Sequence, residues 1–175
     1  MSKSGIISPE IRYLLYFAVF WAVLLAVVAY LFSHWDSRKN NPNQQLVSHT
    51  RSGSTEIELQ ANRQGHYLAY GTINNQDVTF ILDTGATTVS VSESVAQKAG
   101  LTRGRPGLAR TAAGTVDVWS TSIQELRLGD LTFNNVPGTI NPAMAPDMVL
   151  LGMSVLGQVN FSQQSGVLTL SQETR

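Results

Sequence analysis

The chain has 175 residues, twelve Lys/Arg against twelve Asp/Glu, 43% hydrophobic residues, 14 Gly and no Cys. That length and apolar content suit one modest globular domain plus a further segment. The absence of Cys excludes a disulfide framework and every thiolate metal site, and it names no compartment.

Residues 1–12 form a short N-terminal tail. From Tyr13 to Phe32 the sequence reads YLLYFAVFWAVLLAVVAYLF, twenty residues without a charge, a Pro or a Gly. Such a run predicts a helix long enough to cross a bilayer core. Tyr13, Tyr16, Trp21, Tyr30 and Trp35 add aromatic residues, several of them near the ends, where interfacial belts form. A cleaved signal peptide is the competing reading, with Val27-Val28-Ala29 as a weak cleavage site, but the apolar run continues past Ala29 and favours an uncleaved anchor. Lys3 and Arg12 precede the span while Arg38, Lys39 and Arg51 follow it, so charge leaves the orientation open.

Residues 33–54 are rich in Asn, Gln, Ser and charge, and read as a polar linker. A flexible coil of that length has a typical end-to-end distance of about 25 Å. His34 and His49 have no second ligand at helical or hairpin spacing and read as solvated linker residues.

Residues 55–175 have the texture of a mainly β domain. TEIELQ alternates polar and apolar residues, GHYLAYGTI and VTFILD are β-rich runs separated by NNQD, and Gly129-Asp130 divides IQELRLGDLTFNNV at a hairpin turn. VNFSQQSGVLTL repeats the design around Gln164-Ser165-Gly166. Two short helices are expected: ESVAQKA, capped by Ser92 and ended by Gly100, and MSVLGQ after Gly152. Many short strands at close spacing predict a small barrel or sandwich.

Asp83 stands at the end of the apolar run Val78–Leu82, where its carboxylate leaves a packed sheet and is expected to enter a largely buried turn. Burial without partners is costly, so the turn must supply donors. Thr84 offers a hydroxyl, and Gly85 has no Cβ to keep its N–H from a carboxylate. Asp83-Thr84-Gly85-Ala86, preceded by Phe80-Ile81-Leu82 and followed by Thr87-Thr88-Val89-Ser90-Val91, resembles the active-site turn of retropepsin-like aspartic proteases. Val149-Leu150-Leu151-Gly152 leading into MSVLGQVNF is similar to the family's second element, a hydrophobic-hydrophobic-Gly strand followed by a short helix. ARTAAGTVDVW lies between them, where the family places its flap hairpin.

The resemblance covers roughly residues 55–175 and implies a closed retropepsin-like β-barrel. With the apolar helix in front, the chain looks like the bacterial membrane-anchored group, which implies a single-pass inner-membrane protein with its domain on the periplasmic side. It implies that Asp83 is catalytic, that Thr84 and Gly85 with Ala86 shape the active-site turn, and that Leu150, Leu151 and Gly152 support it from behind. Ala112, Ala113, Gly114 and Thr115 fall at the flap, over an extended peptide substrate with apolar side chains near the cut. No cofactor or metal is implied. Two departures stand out: Thr87 replaces the polar or acidic residue usual after the Ala in viral members, and Ala112-Ala113-Gly114 replaces a Gly-rich flap tip.

Pepsin-type chemistry needs two carboxylates sharing a proton, and the chain supplies one. Asp130 precedes Leu131 and Asp147 precedes Met148, so neither sits in a second Asp-Thr/Ser-Gly turn, and they read as a turn and a loop residue. A homodimer with Asp83 from each protomer would complete the site, and the resemblance implies that the terminal GVLTL joins an intersubunit sheet. Anchoring both protomers in one membrane raises their effective concentration.

Other classes fit less well. GLARTAAG lacks the Gly-Lys-Ser/Thr ending of a phosphate loop. From Ser54 onwards seven Lys/Arg face ten Asp/Glu, which leaves no basic surplus for nucleic acid. Arg103, Arg105 and Arg110 read as a solvated loop patch, and His66 lacks the Ser and Asp partners of a triad. The alternatives kept are a catalytically silent retropepsin-like dimerisation or peptide-binding module in the cell envelope, and a structural tether with a chance Asp-Thr-Gly.

Overall fold

The computed structural model describes residues 9–51, 53–111 and 114–173. The chain divides into two compact units at Asn40/Asn41.

The first unit is helix α1, Pro9–Asn40. Pro9 suits a first helical position, where its missing N–H has no intrahelical partner to lose. The span Arg12–Phe32 has a mean hydropathy of 2.5 and no buried residue, so it is long and apolar enough to cross a membrane or to serve as a signal sequence. Trp21 meets Phe17 and Phe20 edge to face, each at 5.9 Å between ring centroids. The side chains of His34 and Trp35 lie outside the described residues.

The polar segment 33–54 differs from a free linker. The helix continues to Asn40 because nothing in 33–40 breaks it, and it stops where Pro42 disfavours helical backbone at Asn41. Strand β1, Ser48–Arg51, then pairs antiparallel with β2, Ser54–Gln60, and Asn41 and Asn43 are buried. The domain therefore begins at Asn41, ahead of the boundary at 55 that composition indicates.

Among the described residues the domain has eleven strands and two short helices. After β1 and β2 come β3 (Leu68–Ile73), β4 (Gln76–Leu82), β5 (Val89–Ser92), α2 (Glu93–Lys98), β6 (Pro106–Thr111), β7 (Gly114–Leu128), β8 (Leu131–Asn141), β9 (Met148–Leu151), α3 (Met153–Leu156), β10 (Asn160–Gln164) and β11 (Val167–Glu173). A seven-stranded sheet runs β3-β4-β9-β5-β8-β7-β6, and a further β3–β7 pairing closes its first six strands into a barrel. A four-stranded sheet runs β1-β2-β11-β10. The mainly β, closed-barrel expectation with two short helices is borne out.

Local chemistry sets the corners. Asn74 and Asn75 both take left-handed backbone between β3 and β4, which the side chains of Asn tolerate best after Gly. Ser165 and Gly166 do the same between β10 and β11. In β7 and β8 the buried positions change parity together, from Ile123 to Leu126 on one strand and from Phe133 to Val136 on the other. The switch occurs beside Asn135, whose φ of 52° interrupts the pleat and lets both halves of the hairpin face the core. Ser92 occupies the N-cap position of α2 without a side-chain cap bond, and its hydroxyl lies 3.2 Å from that of Ser94. Gly100 follows α2 at φ +66°.

One apolar core joins the two sheets. Phe80, Ile123, Leu126 and Leu151 from the barrel pack in the same cluster as Ile57 and Leu170 from the four-stranded sheet. β11 lies between β2 and β10 and has both edges paired, so the GVLTL strand is internal to the protomer. β10 and β1 are the two outer strands of that sheet.

Candidate active site

Strand β4 delivers Asp83 to the barrel surface. Its residues Phe80, Ile81 and Leu82 pair in parallel with Val149, Leu150 and Leu151 of β9, so the ends of these two strands emerge side by side. The backbone N–H of Asp83 donates to the Leu151 carbonyl at 3.1 Å, and that of Ala86 to the Asp83 carbonyl at 3.2 Å. The chain is thereby bent into a tight turn immediately after the strand.

The Asp83 carboxylate is held by that turn. Gly85 N–H donates to Asp83 Oδ1 at 2.9 Å, and a Cβ on Gly85 would stand 3.1 Å from the same oxygen. A side chain there would crowd the carboxylate against its donor. The turn is more open than the sequence indicates: Asp83 is half-buried, while Thr84 and Gly85 are exposed. Backbone rather than enclosure carries the carboxylate. Among the described residues no Lys, Arg or His forms an ion pair with it.

Gly152 braces the turn from behind. It is buried, and a Cβ on it would run into the carbonyls of Thr88 and Ala86. That approach lets Met153 N–H donate to Ala86 O at 2.8 Å and Ser154 N–H to Thr87 O at 3.0 Å, which clips the first turn of α3 to the active-site loop. Leu151 is buried in the core and Leu150 is half-buried between β4 and β5. Ser154, which pattern alone marks only as a helix residue, adds a second clip. Its Oγ accepts from Val89 N–H and donates to Pro137 O, both at 3.1 Å.

The segment expected to form a flap is a hairpin of β6 and β7, paired from Pro106–Trp119 to Thr111–Gly114. Gly114 has φ +121°, and Thr111 Oγ1 donates to its carbonyl at 2.8 Å. Thr115 is exposed on β7, and Ala112 and Ala113 lie outside the described residues. The base of the hairpin is pinned by Arg103, whose guanidinium lies 4.1 Å from the centroid of the Trp119 ring and 2.7 Å from Glu93 on α2. The Arg103 hydrogen bond holds the Glu93 carboxyl below its usual pKa. Arg103 therefore has structural partners, unlike a merely solvated patch.

Beside Asp83 lies a cavity of about 260 Å³, lined by Tyr67, Leu82, Thr84, Leu156, Leu170 and Phe161 among others. Phe161, on β10, is 45% exposed. Among the described residues the buried Tyr67 hydroxyl has no hydrogen-bond partner. A larger polar groove, about 1000 Å³ and lined by Asp130, Asn134 and Glu173, shares no residue with the Asp83 turn.

The site is thus one carboxylate held by backbone, braced by a Gly-containing strand end and flanked by an apolar cavity. The family model for gag-polyprotein putative aspartyl protease matches residues 69–158, which include the Asp83 turn, the hairpin and Gly152. A crystal structure of a retropepsin-like aspartic protease from Rickettsia conorii covers 74% of this chain and 96% of its own, with a TM-score of 0.58 and 25% identity. EIAV protease, complexed with the inhibitor HBY-793, covers 57% of this chain and 92% of its own at a TM-score of 0.46 and 19% identity. A curated relative, an uncharacterized protein in the cobV 5′ region of Sinorhizobium sp., is 27% identical over 125 residues, 70% of this chain. The chain spans about half the length, 54%, of that relative.

Proposed function

Because the chain belongs to the gag-polyprotein putative aspartyl protease family, the retropepsin-like aspartic proteases, we propose that it is a membrane-anchored endopeptidase that works as a homodimer. The observation that carries the reading is the Asp83 turn: a carboxylate oriented by Gly85 N–H, with no cation in ion-pair range among the described residues.

In the dimer, Asp83 of each protomer meets its counterpart across a two-fold axis. Two carboxylates about 3 Å apart cannot both ionise, so they share one proton. The ionised member takes a proton from water as the water attacks the peptide carbonyl, and the protonated member donates to the carbonyl oxygen. Collapse of the tetrahedral intermediate, with proton transfer to the leaving amine, completes the cleavage. Thr84 and Ala86 shape the turn, and Leu150, Leu151 and Gly152 keep it in place. The β6–β7 hairpin, which carries Gly114 and Thr115, covers an extended peptide that pairs with it through main-chain hydrogen bonds.

β10 supports the dimer. Asn160–Gln164 reads NFSQQ, with neither charge nor Pro, and all five residues are exposed at the end of the sheet. Edge strands are usually guarded by charge, Pro or a bulge, and an unguarded edge suits pairing with a second copy. Such pairing covers Phe161 and the cavity next to Asp83. The apolar span at 13–32 serves as the anchor, in a bacterial inner membrane with the domain on the periplasmic side, and holds both protomers in one plane.

The test is peptide cleavage by the full-length chain in detergent micelles, with Asp83→Asn as control. Specific activity that rises with protein concentration and is lost in Asp83→Asn supports the dimeric protease. A folded dimer that cleaves nothing at any concentration favours the silent peptide-binding module.

A further inference from the structure

The juxtamembrane segment makes one set of contacts that the catalytic reading leaves unused. Asn43 is only 6% exposed, although its neighbours Pro42, Gln44 and Gln45 are exposed. Its side-chain amide donates to the Gln60 carbonyl at 2.9 Å and the Leu68 carbonyl at 2.7 Å, while its Oδ1 accepts from Gln60 N–H at 2.7 Å. Gln60 is the last residue of β2 and Leu68 the first of β3, so one side chain ties the four-stranded sheet to the barrel. Asn43 N–H in turn donates to Asn41 Oδ1 at 3.0 Å, which fixes the bend that aims the amide inward.

The tie is close to the candidate catalytic turn. Tyr67, next to Leu68, accepts at its carbonyl from Leu82 N–H at 3.0 Å, and Leu82 immediately precedes Asp83. Tyr67 and Leu82 line the cavity that also contains Asp83 and Thr84. Farther along the segment, Ser48 Oγ accepts from Asp130 N–H at 3.2 Å, and β1 pairs with β2 over Ser48–Arg51.

We propose that Asn43 is a positioning residue for Asp83 and that residues 41–51 are a working strap of the catalytic domain, so that activity is lost when the chain is severed past Asn43. This inference rests on the aspartic protease reading. Only a carboxamide supplies two donors and an acceptor from one planar group, which is why Asp at this position keeps the bond from Gln60 N–H and turns the other oxygen against two carbonyls. Protonation of that Asp returns one donor.

The experiment uses the full-length chain in detergent micelles and compares wild type, Asn43→Asp and Asn43→Ala. The expected result is a kcat for Asn43→Asp at least tenfold below wild type at neutral pH, with KM changed less than twofold. The ratio of variant to wild-type kcat should rise as the pH is lowered and the new carboxyl is protonated. Near-UV circular dichroism establishes that each variant is folded, and hydrogen exchange of the Leu82 amide should be faster in folded Asn43→Ala than in wild type. Wild-type kcat in folded Asn43→Asp, or unchanged Leu82 exchange in folded Asn43→Ala, overturns the inference and leaves the protease reading intact. A folded, dimeric wild type without Asp83-dependent cleavage overturns both.

Discussion

Two aspartates sit at opposite ends of the parallel strand pair β4 and β9, and they are handled in opposite ways. Asp147, just before β9, is exposed and paired with Lys98 Nζ at 2.6 Å, and its backbone N–H donates to Ser94 Oγ at 2.9 Å. The Lys98 hydrogen bond and charge hold its carboxyl below the ordinary range. Asp83, just after β4, receives a backbone N–H from Gly85 and no cation among the described residues. A carboxylate beside an ammonium is committed to its charge. Asp83 is oriented by a peptide N–H instead of by a counter-charge.

The largest expected effect breaks the pair at its Asp83 end. Asp83→Asn should lower kcat by about 10²–10⁴-fold, the range for a lost general acid or base, while circular dichroism and the unfolding midpoint stay near wild type. Residual cleavage at the wild-type rate would remove Asp83 from the chemistry. Next in size is Phe161→Asp on the open β10 edge. If this edge completes the site, the dimer should weaken by about 30-fold or more, as for loss of a buried aromatic anchor, and activity should return at high protein concentration. Sedimentation in detergent against specific activity reads both effects. Unchanged dimerisation would move the interface elsewhere.

Smaller effects sharpen the contrast. Gly152→Ala places a methyl group against two carbonyls and should cost about 1–3 kcal/mol of stability, visible as a lower denaturation midpoint. Asp147→Asn should leave cleavage unchanged and lower stability slightly above the carboxylate range, with the difference fading in acid. Because the folded-state pKa of Asp147 is lowered, its ion pair contributes fully above the usual carboxylate value of about 3.9 and fades as pH falls through the lower folded value. Acid titrations of wild type and Asp147→Asn should therefore converge at the lowest pH. A catalytic defect in Asp147→Asn would mean that the two aspartates are not separate in role.

The parts of this molecule written in short-range chemistry were legible in the sequence. The Asn74-Asn75 and Gly129-Asp130 turns, the helices begun after Ser92 and Gly152, and the apolar run into Asp83 all depend on near neighbours. The strap was not legible, because Asn, Gln and Ser look the same in a solvated coil as in a buried network. Asn43 is buried only because its partners, Gln60 and Leu68, come from strands far along the chain. Ser154 is similar: its role rests on Val89 and Pro137, which only the barrel brings together. The paired edges of β11 also required the sheet order, since a hairpin pattern does not reveal which of its strands faces outward.

Barrel closure rests on a short seam. β3 meets β7 through Thr72–Arg127 and Ile73–Leu126, Asn74 extends the seam by donating its N–H to Glu125 O at 2.9 Å and accepting from Glu125 N–H at Oδ1 at 3.1 Å, and a Cβ on Gly71 would collide with the Arg127 carbonyl. Joining these distant stretches carries a loop-closure cost that near neighbours do not face, and that cost falls on the seam. It is also where the cylinder should part first under thermal stress, well before the long β7–β8 ladder yields. Amide exchange at Thr72 and Ile73 faster than at Ile123 would mark the seam as the domain's breathing line.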